Sequence, residues 1–194
     1  MKITIIRGDI TEVEADAVVN AANSTLLGGG GVDGAIHRAA GPGLLEDCRK
    51  LRADSLGDGL PAGGAAITPA HGLPAKWVIH AVGPNKHAGQ NDVAVLESAF
   101  RSALDAADRV GAHVVAMPAI GAGAYGWSGE EVAGAARRAI ESRSEDTRDD
   151  VAEVIFVLFG EDLESVFRAE FDDWNAPGAG DAPTGGSDGG PGDG

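Results

Sequence analysis

Cysteine is almost absent from this chain: Cys48 is the only one among 194 residues, so no internal disulfide can form and no thiolate pair exists for a metal site. Its plain reading is a buried cysteine on a helix. Long apolar stretches are also missing. No run approaches the roughly 18 residues that span a bilayer, and Met1-Lys2-Ile3-Thr4-Ile5-Ile6-Arg7 is too short and too soon charged for a signal peptide. A cytoplasmic protein with no membrane partner is expected. Basic charge is scarce as well: thirty acidic side chains stand against fifteen basic ones, for a formal charge of −15. Such a surface repels phosphate backbones, which disfavours broad nucleic-acid binding. Only four of the basic residues are lysines. A lysine-poor, acid-rich surface fits a protein kept soluble at high salt, and an ordinary acidic cytosolic protein fits it too.

What the chain has in excess is glycine, 30 of 194 residues, roughly twice the usual share. Hydrophobic residues at 43 % allow a real core, and the length suits one domain. From Asn175 onward only small, polar, Pro and Gly residues occur, so 175–194 reads as a flexible tail behind a folded unit of 1–174.

Within that unit, short Val/Ile-rich runs alternate with helical patterns, the mark of α/β architecture. Strands are expected at Ile3 to Ile6, Ala17 to Ala21, Ala65 to Thr68, Trp77 to Val82, Val114 to Met117 and Val154 to Leu158. Several are apolar at consecutive positions, as when both sheet faces are covered. Helices are expected at Val32 to Ala40, Leu44 to Arg52, Val93 to Ala107, Ser128 to Ser142 and Glu161 to Trp174, with Ser128 and Glu131 forming a capping box. The product is a mixed or mostly parallel sheet between helical layers. Ligands collect at the carboxyl ends of such strands, where loops lead into helices.

Both glycine clusters fall there. The first follows a strand: Asn20-Ala21-Ala22-Asn23, then Gly28-Gly29-Gly30-Gly31-Val32-Asp33-Gly34-Ala35-Ile36-His37. Successive glycines let bare backbone amides approach an anion, and the positive end of the following helix adds to the attraction. Asp33 and His37 lie one helical turn apart and can touch. Asn20, Asn23 and Asp33 beside such a cradle can bind hydroxyls and position a water. Each also has a plainer role: turn former for the asparagines, helix-dipole partner for Asp33, pairing with Asp33 for His37.

The second cluster is Pro118-Ala119-Ile120-Gly121-Ala122-Gly123-Ala124-Tyr125-Gly126-Trp127, again between a strand and a helix. Gly121, Gly123 and Gly126 spell the dinucleotide fingerprint. It falls late in the chain, however, and no acidic residue ends a second strand about 20 residues on, which argues against a Rossmann oxidoreductase.

Taken together, Gly8-Asp9-Ile10-Thr11, Asp16-Ala17-Val18-Val19-Asn20-Ala21-Ala22-Asn23 and the run from Gly28 to His37 resemble the macrodomain family, and within it the MacroD-type ADP-ribose hydrolases. The likeness runs from about Lys2 to Trp174. It implies a three-layer α/β/α sandwich with a central mixed sheet, and a protein that binds ADP-ribose and hydrolyses its acyl esters: O-acetyl-ADP-ribose and mono-ADP-ribose on Asp or Glu side chains. It implies no metal and no cofactor.

By the same resemblance Asn23, Asp33 and His37 are the catalytic candidates. Asp33 orients or deprotonates a water, or only positions the ribose while a substrate phosphate oxygen activates the water. Asn20, Ala21, Gly30, Gly31 and Val32 line the first loop; Ile120, Gly121, Ala122, Gly123, Ala124 and Tyr125 line the second, closing over the diphosphate and distal ribose. Relatives commonly have Ser-Thr-Gly where this chain has Gly121-Ala122-Gly123, so hydroxyls usual there are missing and the phosphate is left to backbone donors. Asp9 matches the carboxylate that takes the adenine amino group, Ile10 a backbone contact, and Phe159 the ring that lies against adenine. His80, in a strand, is read as structural, and Phe159 and Tyr125 have packing roles as alternatives.

The competing class is a non-catalytic ADP-ribose reader. Zinc-dependent macrodomains would require cysteine and histidine ligands that Cys48 alone does not supply. A monomer is expected, with mono-ADP-ribosylated proteins as partners and nucleic acid only as an ADP-ribosylated end.

Overall fold

In a computed structural model, described here for residues 1–143 and 150–175, six strands form one sheet. They are β1 (Lys2–Arg7), β2 (Ala17–Ala22), β3 (Ala65–Pro69), β4 (Trp77–Val82), β5 (Val114–Met117) and β6 (Glu153–Leu158). Their order is β1-β6-β5-β2-β4-β3. Every neighbouring pair is parallel except β3 on β4, so the sheet is mixed. The buried strands are nearly continuous in Val, Ile and Ala because helices cover both faces.

Two helices, α1 (Gly31–Ala40) and α2 (Pro42–Asp54), cover one face, where Ile36 and Leu44 pack on Val18 and Val78. The other face carries α3 (Val93–Arg109), α4 (Gly129–Glu141) and α5 (Glu161–Glu170), with Leu96, Phe100, Val132 and Phe167 packed on Val19, Ile79 and Phe156. The result is the three-layer sandwich expected from the sequence. Each start has a local cause: Asp92 caps α3, Ser128 and Glu131 form the capping box of α4, and Pro42 opens α2.

The helix most overestimated from periodicity is α5, which stops at Glu170 rather than at Trp174, while α4 loses only Ser128 and Ser142, which cap it. Its last aromatics turn inward instead of continuing the spiral. Phe171 and Trp174 meet edge to face at 5.8 Å, and the Trp174 indole donates to the Met1 carbonyl at 3.1 Å. Asn175, assigned to the tail from composition, also reaches back. Its Nδ2 donates to the Ile3 carbonyl at 2.7 Å and its Oδ1 accepts from the Ile3 amide at 3.3 Å, occupying the open edge of β1. The rest of the tail, 176–194, lies outside the described residues. Two 3-10 turns, Ile10–Glu12 and Lys86–Ala88, were not anticipated; Asp9 and Asn85 cap them.

Because five strands are parallel, their carboxyl ends share one rim. Gly8, Asn23, Gly83, Pro118 and Phe159 are the first residues past those ends. β2 and β5 are neighbours, so the two glycine loops leave the sheet side by side. Among the described residues no helix is long and apolar enough to cross a membrane.

Candidate functional site

The first glycine loop is built around Asn23. Its Oδ1 accepts from the Thr25 amide at 3.0 Å and the Thr25 hydroxyl at 2.5 Å, and its Nδ2 donates to the Gly28 carbonyl at 3.1 Å. This Asx turn sends the chain back on itself. Leu26, held at φ 60 and 1 % exposed, plugs the loop into the core with Leu60 and Cys48. Asn23 was expected to hold a sugar hydroxyl; its side chain is mainly spent on shaping the loop, with one Nδ2 hydrogen left over.

The loop delivers Gly30 to the start of α1. Gly30 offers no side-chain cap, and the first intrahelical bond runs from the Gly34 amide to the Gly30 carbonyl at 3.3 Å. The amides of Gly31, Val32 and Asp33 therefore precede the helical ladder and are open to an anion. Gly31 has φ 59, a conformation that costs glycine little.

Beneath this loop lies a buried polar cluster. Asp33 is 5 % exposed and Asn20 fully enclosed. Asn20 Nδ2 donates to Asp33 Oδ1 at 2.7 Å and stands 3.2 Å from His80 Nδ1. His37 Nε2 is 3.5 Å from the same Asp33 oxygen and makes no hydrogen bond; it lies beside the carboxylate without capturing it. His80 is enclosed too, and burial, aided by the nearby His37, holds its pKa down to about 3, so the ring is neutral. Burial pushes the Cys48 thiol up to about 11, with the charges of Asp33 and Asp47 adding to it. Cys48 is therefore an inert buried thiol.

The second loop faces this cluster from β5. The Tyr125 hydroxyl is raised above its ordinary pKa by burial first and by the charge of Asp33 second. Lys86 clamps the loop from behind. Its amide donates to the Tyr125 carbonyl at 3.0 Å, and its ammonium sits 4.4 Å from the Trp127 ring centroid while bonding Glu131 at 2.6 and 2.7 Å. With that charge neutralised by Glu131, the loop offers an anion backbone donors and the Tyr125 hydroxyl. Two are already used: Ala122 N–H bonds the Ala119 carbonyl at 3.1 Å and Gly126 N–H bonds that of Gly123 at 3.0 Å. The contact expected of the Ala122 amide is thus taken, and an anion is left to the loop's other amides. Ile120, expected to line the loop's ligand side, is fully buried.

At the far end of the rim, β1 and β6 deliver Asp9 and Phe159 side by side, with Gly8 N–H bonded to the Leu158 carbonyl at 3.1 Å. Asp9 Oδ1 is taken by the Thr11 amide at 2.9 Å and the Thr11 hydroxyl at 2.7 Å; these bonds lower its pKa. The turn-forming role is therefore real, and the second carboxylate oxygen stays open. Phe159 is 94 % exposed, which removes core packing as its purpose. Ile10 is buried behind Asp9, and Ala21 is half-buried on β2.

Sequence reasoning missed Thr68 and the connection of His80 to Asn20. The available signal was a histidine in a strand otherwise written Trp77-Val78-Ile79-Ala81-Val82. Among the described residues no group of three His, Cys, Asp or Glu side chains is arranged to hold a metal. Two shallow surface depressions, lined by Glu130, Ser165 and Val166 and by Glu14, Asp16 and Pro74, border neither glycine loop.

A family model described as Macro domain matches residues 19–136. A macro domain-containing protein of Streptomyces coelicolor is 51 % identical over 167 residues, covering 86 % of this chain and 96 % of that protein. The ADP-ribose glycohydrolase MACROD1 of Bos taurus is 43 % identical over 169 residues; the match covers 86 % of this chain but only 50 % of that longer protein. Among solved structures, the Oceanobacillus iheyensis macrodomain with ADP superposes with a TM-score of 0.78 at 37 % identity, covering 88 % of this chain and 90 % of that one.

Proposed function

The chain belongs to the Macro domain family, and from that premise we propose that it binds ADP-ribose along the rim and hydrolyses acyl esters of its distal ribose. The substrates are O-acetyl-ADP-ribose and mono-ADP-ribose attached to Asp or Glu side chains. Adenine lies at Asp9 and Phe159, the diphosphate between the glycine loops, and the distal ribose over Asn23 and Asp33 with Tyr125 opposite; Asn20, expected to touch the ligand, is fully enclosed and meets it only through Asp33. Support comes from the exposed Phe159 ring and from Asp9 on the neighbouring strand ends, from the unclaimed amides at the start of α1, and from relatives whose names give ADP as a ligand and ADP-ribose glycohydrolysis as an activity.

The observation that carries the catalytic half is Asp33: a carboxylate 5 % exposed, held by Asn20 at 2.7 Å, directly under Gly29. Burying a carboxylate is costly unless hydrogen bonds compensate. Placed beside the ester, Asp33 takes the proton of an attacking water as the ester bond breaks, releasing ADP-ribose and a carboxylic acid. A general base of this kind supplies about 10² to 10⁴ in rate.

The test is release of free ADP-ribose from O-acetyl-ADP-ribose and from glutamate-linked mono-ADP-ribosylated protein, at low and molar salt, alongside calorimetry with ADP-ribose. Asp33→Ala is expected to lose about 10²-fold or more in kcat, with Asn23→Ala less affected. Unchanged kcat in Asp33→Ala would hand water activation to a substrate phosphate. Binding without turnover in all conditions would make the protein a reader, and no heat with ADP-ribose would end the assignment.

A further inference from the structure

Resting on the reading that Asp33 acts on the ester, we propose that His80 is a positioning residue: through the Asn20 amide it fixes the hydrogen bond that orients Asp33. The sheet register creates the arrangement. Asn20 on β2 and His80 on β4 are Cα partners on the face covered by α1 and α2, and Thr68 on β3 reaches the same ring diagonally. All three are buried, Thr68 being 2 % exposed. An imidazole in a strand interior needs both ring nitrogens satisfied. Here Nδ1 lies 3.2 Å from Asn20 Nδ2 and Nε2 lies 2.9 Å from Thr68 Oγ1.

The direction of every bond follows from Asp33. An ionised carboxylate only accepts, so the group 2.7 Å from its Oδ1 is the Asn20 NH2. The second hydrogen of that NH2 then meets His80 Nδ1, which must be the unprotonated nitrogen. The ring proton is left on Nε2 and donates to Thr68 Oγ1. Burial keeps the ring neutral, so a single tautomer suffices.

The reverse tautomer fails. With the proton on Nδ1, Asn20 would turn its amide oxygen toward the ring and toward Asp33 at once. Nothing else resists that turn, because Asn20 Oδ1 is buried and has no hydrogen-bond partner. The amide is held only through its nitrogen, by Asp33 and His80. Cys48 Sγ, 3.7 Å from Nε2, is a weak alternative acceptor.

Thr68 offers the cleanest test, since it is far along the line from the ester and Thr68→Val keeps its shape. With Thr68→Val, kcat is expected to fall roughly tenfold, the lower end of what is lost when the outer hydrogen-bond partner of a metal-ligating histidine is removed, while KM and the ADP-ribose Kd stay within about twofold. Thr68→Ser restores kcat. Long-range 15N spectra of wild type show His80 neutral with its proton on Nε2, and Thr68→Val shifts the Asn20 side-chain amide resonances. Unchanged kcat in Thr68→Val overturns the proposal, as does a loss that merely follows the folded fraction and is not restored by Thr68→Ser. A wild-type His80 protonated on Nδ1 overturns it as well. If wild type turns over neither ester, the catalytic reading has failed on its own account. The positioning claim is then decided by the spectra: movement of the Asn20 amide in Thr68→Val and not in Thr68→Ser supports it, and no movement refutes it.

Discussion

Gly29 lies directly over Asp33: a methyl group built on its Cα would stand 2.9 Å from Asp33 Oδ2 and 3.2 Å from Asn23 Nδ2. Its backbone is outside the left-handed region, so alanine fits the fold there. The penalty falls on the carboxylate and amide instead. Gly29→Ala is expected to lower kcat by about tenfold or more while costing roughly 1 kcal/mol or less in unfolding free energy. Parallel turnover and urea-denaturation measurements check this; full activity in Gly29→Ala would show that the space between Asp33 and the loop is not used.

The Phe159 ring separates binding from stability in the opposite way. At 94 % exposure it contributes nothing to the core, so Phe159→Ala should leave Tm unchanged. Stacking on a base is worth about 1 to 3 kcal/mol, so the same substitution is expected to weaken ADP-ribose binding about 5- to 150-fold. Calorimetry with ADP-ribose and with ribose 5-phosphate checks it: only the ligand with the adenine should lose affinity.

Acid should destabilise the protein through His80. Its ordinary value is 6.5 and its folded value about 3. Below pH 6.5 the unfolded chain takes up a proton that the native state refuses until about pH 3, so stability falls as pH falls through that window. The slope approaches roughly 1.4 kcal/mol per pH unit. The lowered carboxylates Asp9, Asp16, Asp47, Glu131, Glu153 and Asp173 act in the same direction, but only beneath their ordinary values of 3.8 to 4.5. The difference in denaturation midpoints between wild type and His80→Gln from pH 7 to 5 therefore reports on His80, and His80→Gln is expected to flatten the profile.

The chain's folded unit is proposed to close at Asn175. A version ending there keeps the amide pair on Ile3 and the Trp174 bond to Met1, so its Tm and ADP-ribose affinity should match the full chain. A version ending at Asp173 loses both and is expected to be about 2 kcal/mol less stable, a fall of roughly 5 °C in Tm. Thermal melts of the two truncations decide it.

Much of this was legible in the one-dimensional pattern. All six strands and five helices follow from apolar periodicity and caps, since which face of an element is buried depends on spacing along the chain. Both glycine loops were visible for the same reason: a run such as Gly28 to Gly31 or Gly121-Ala122-Gly123 has few local uses besides bringing backbone close to something else.

The partners were not legible. Asn20 and His80 are 60 positions apart, and only the β2 to β4 register makes them neighbours; a histidine in an apolar strand reads simply as a core residue until that pairing is known. The role of Phe159 depended on the fold likewise, its ring being left in solvent on the rim just past β6, whereas Asn23 turns its amide into its own loop through partners no more than five residues away. Spacing along a chain decides which way a side chain faces. What it meets there is decided by which strands lie side by side, and that is a property of the assembled sheet.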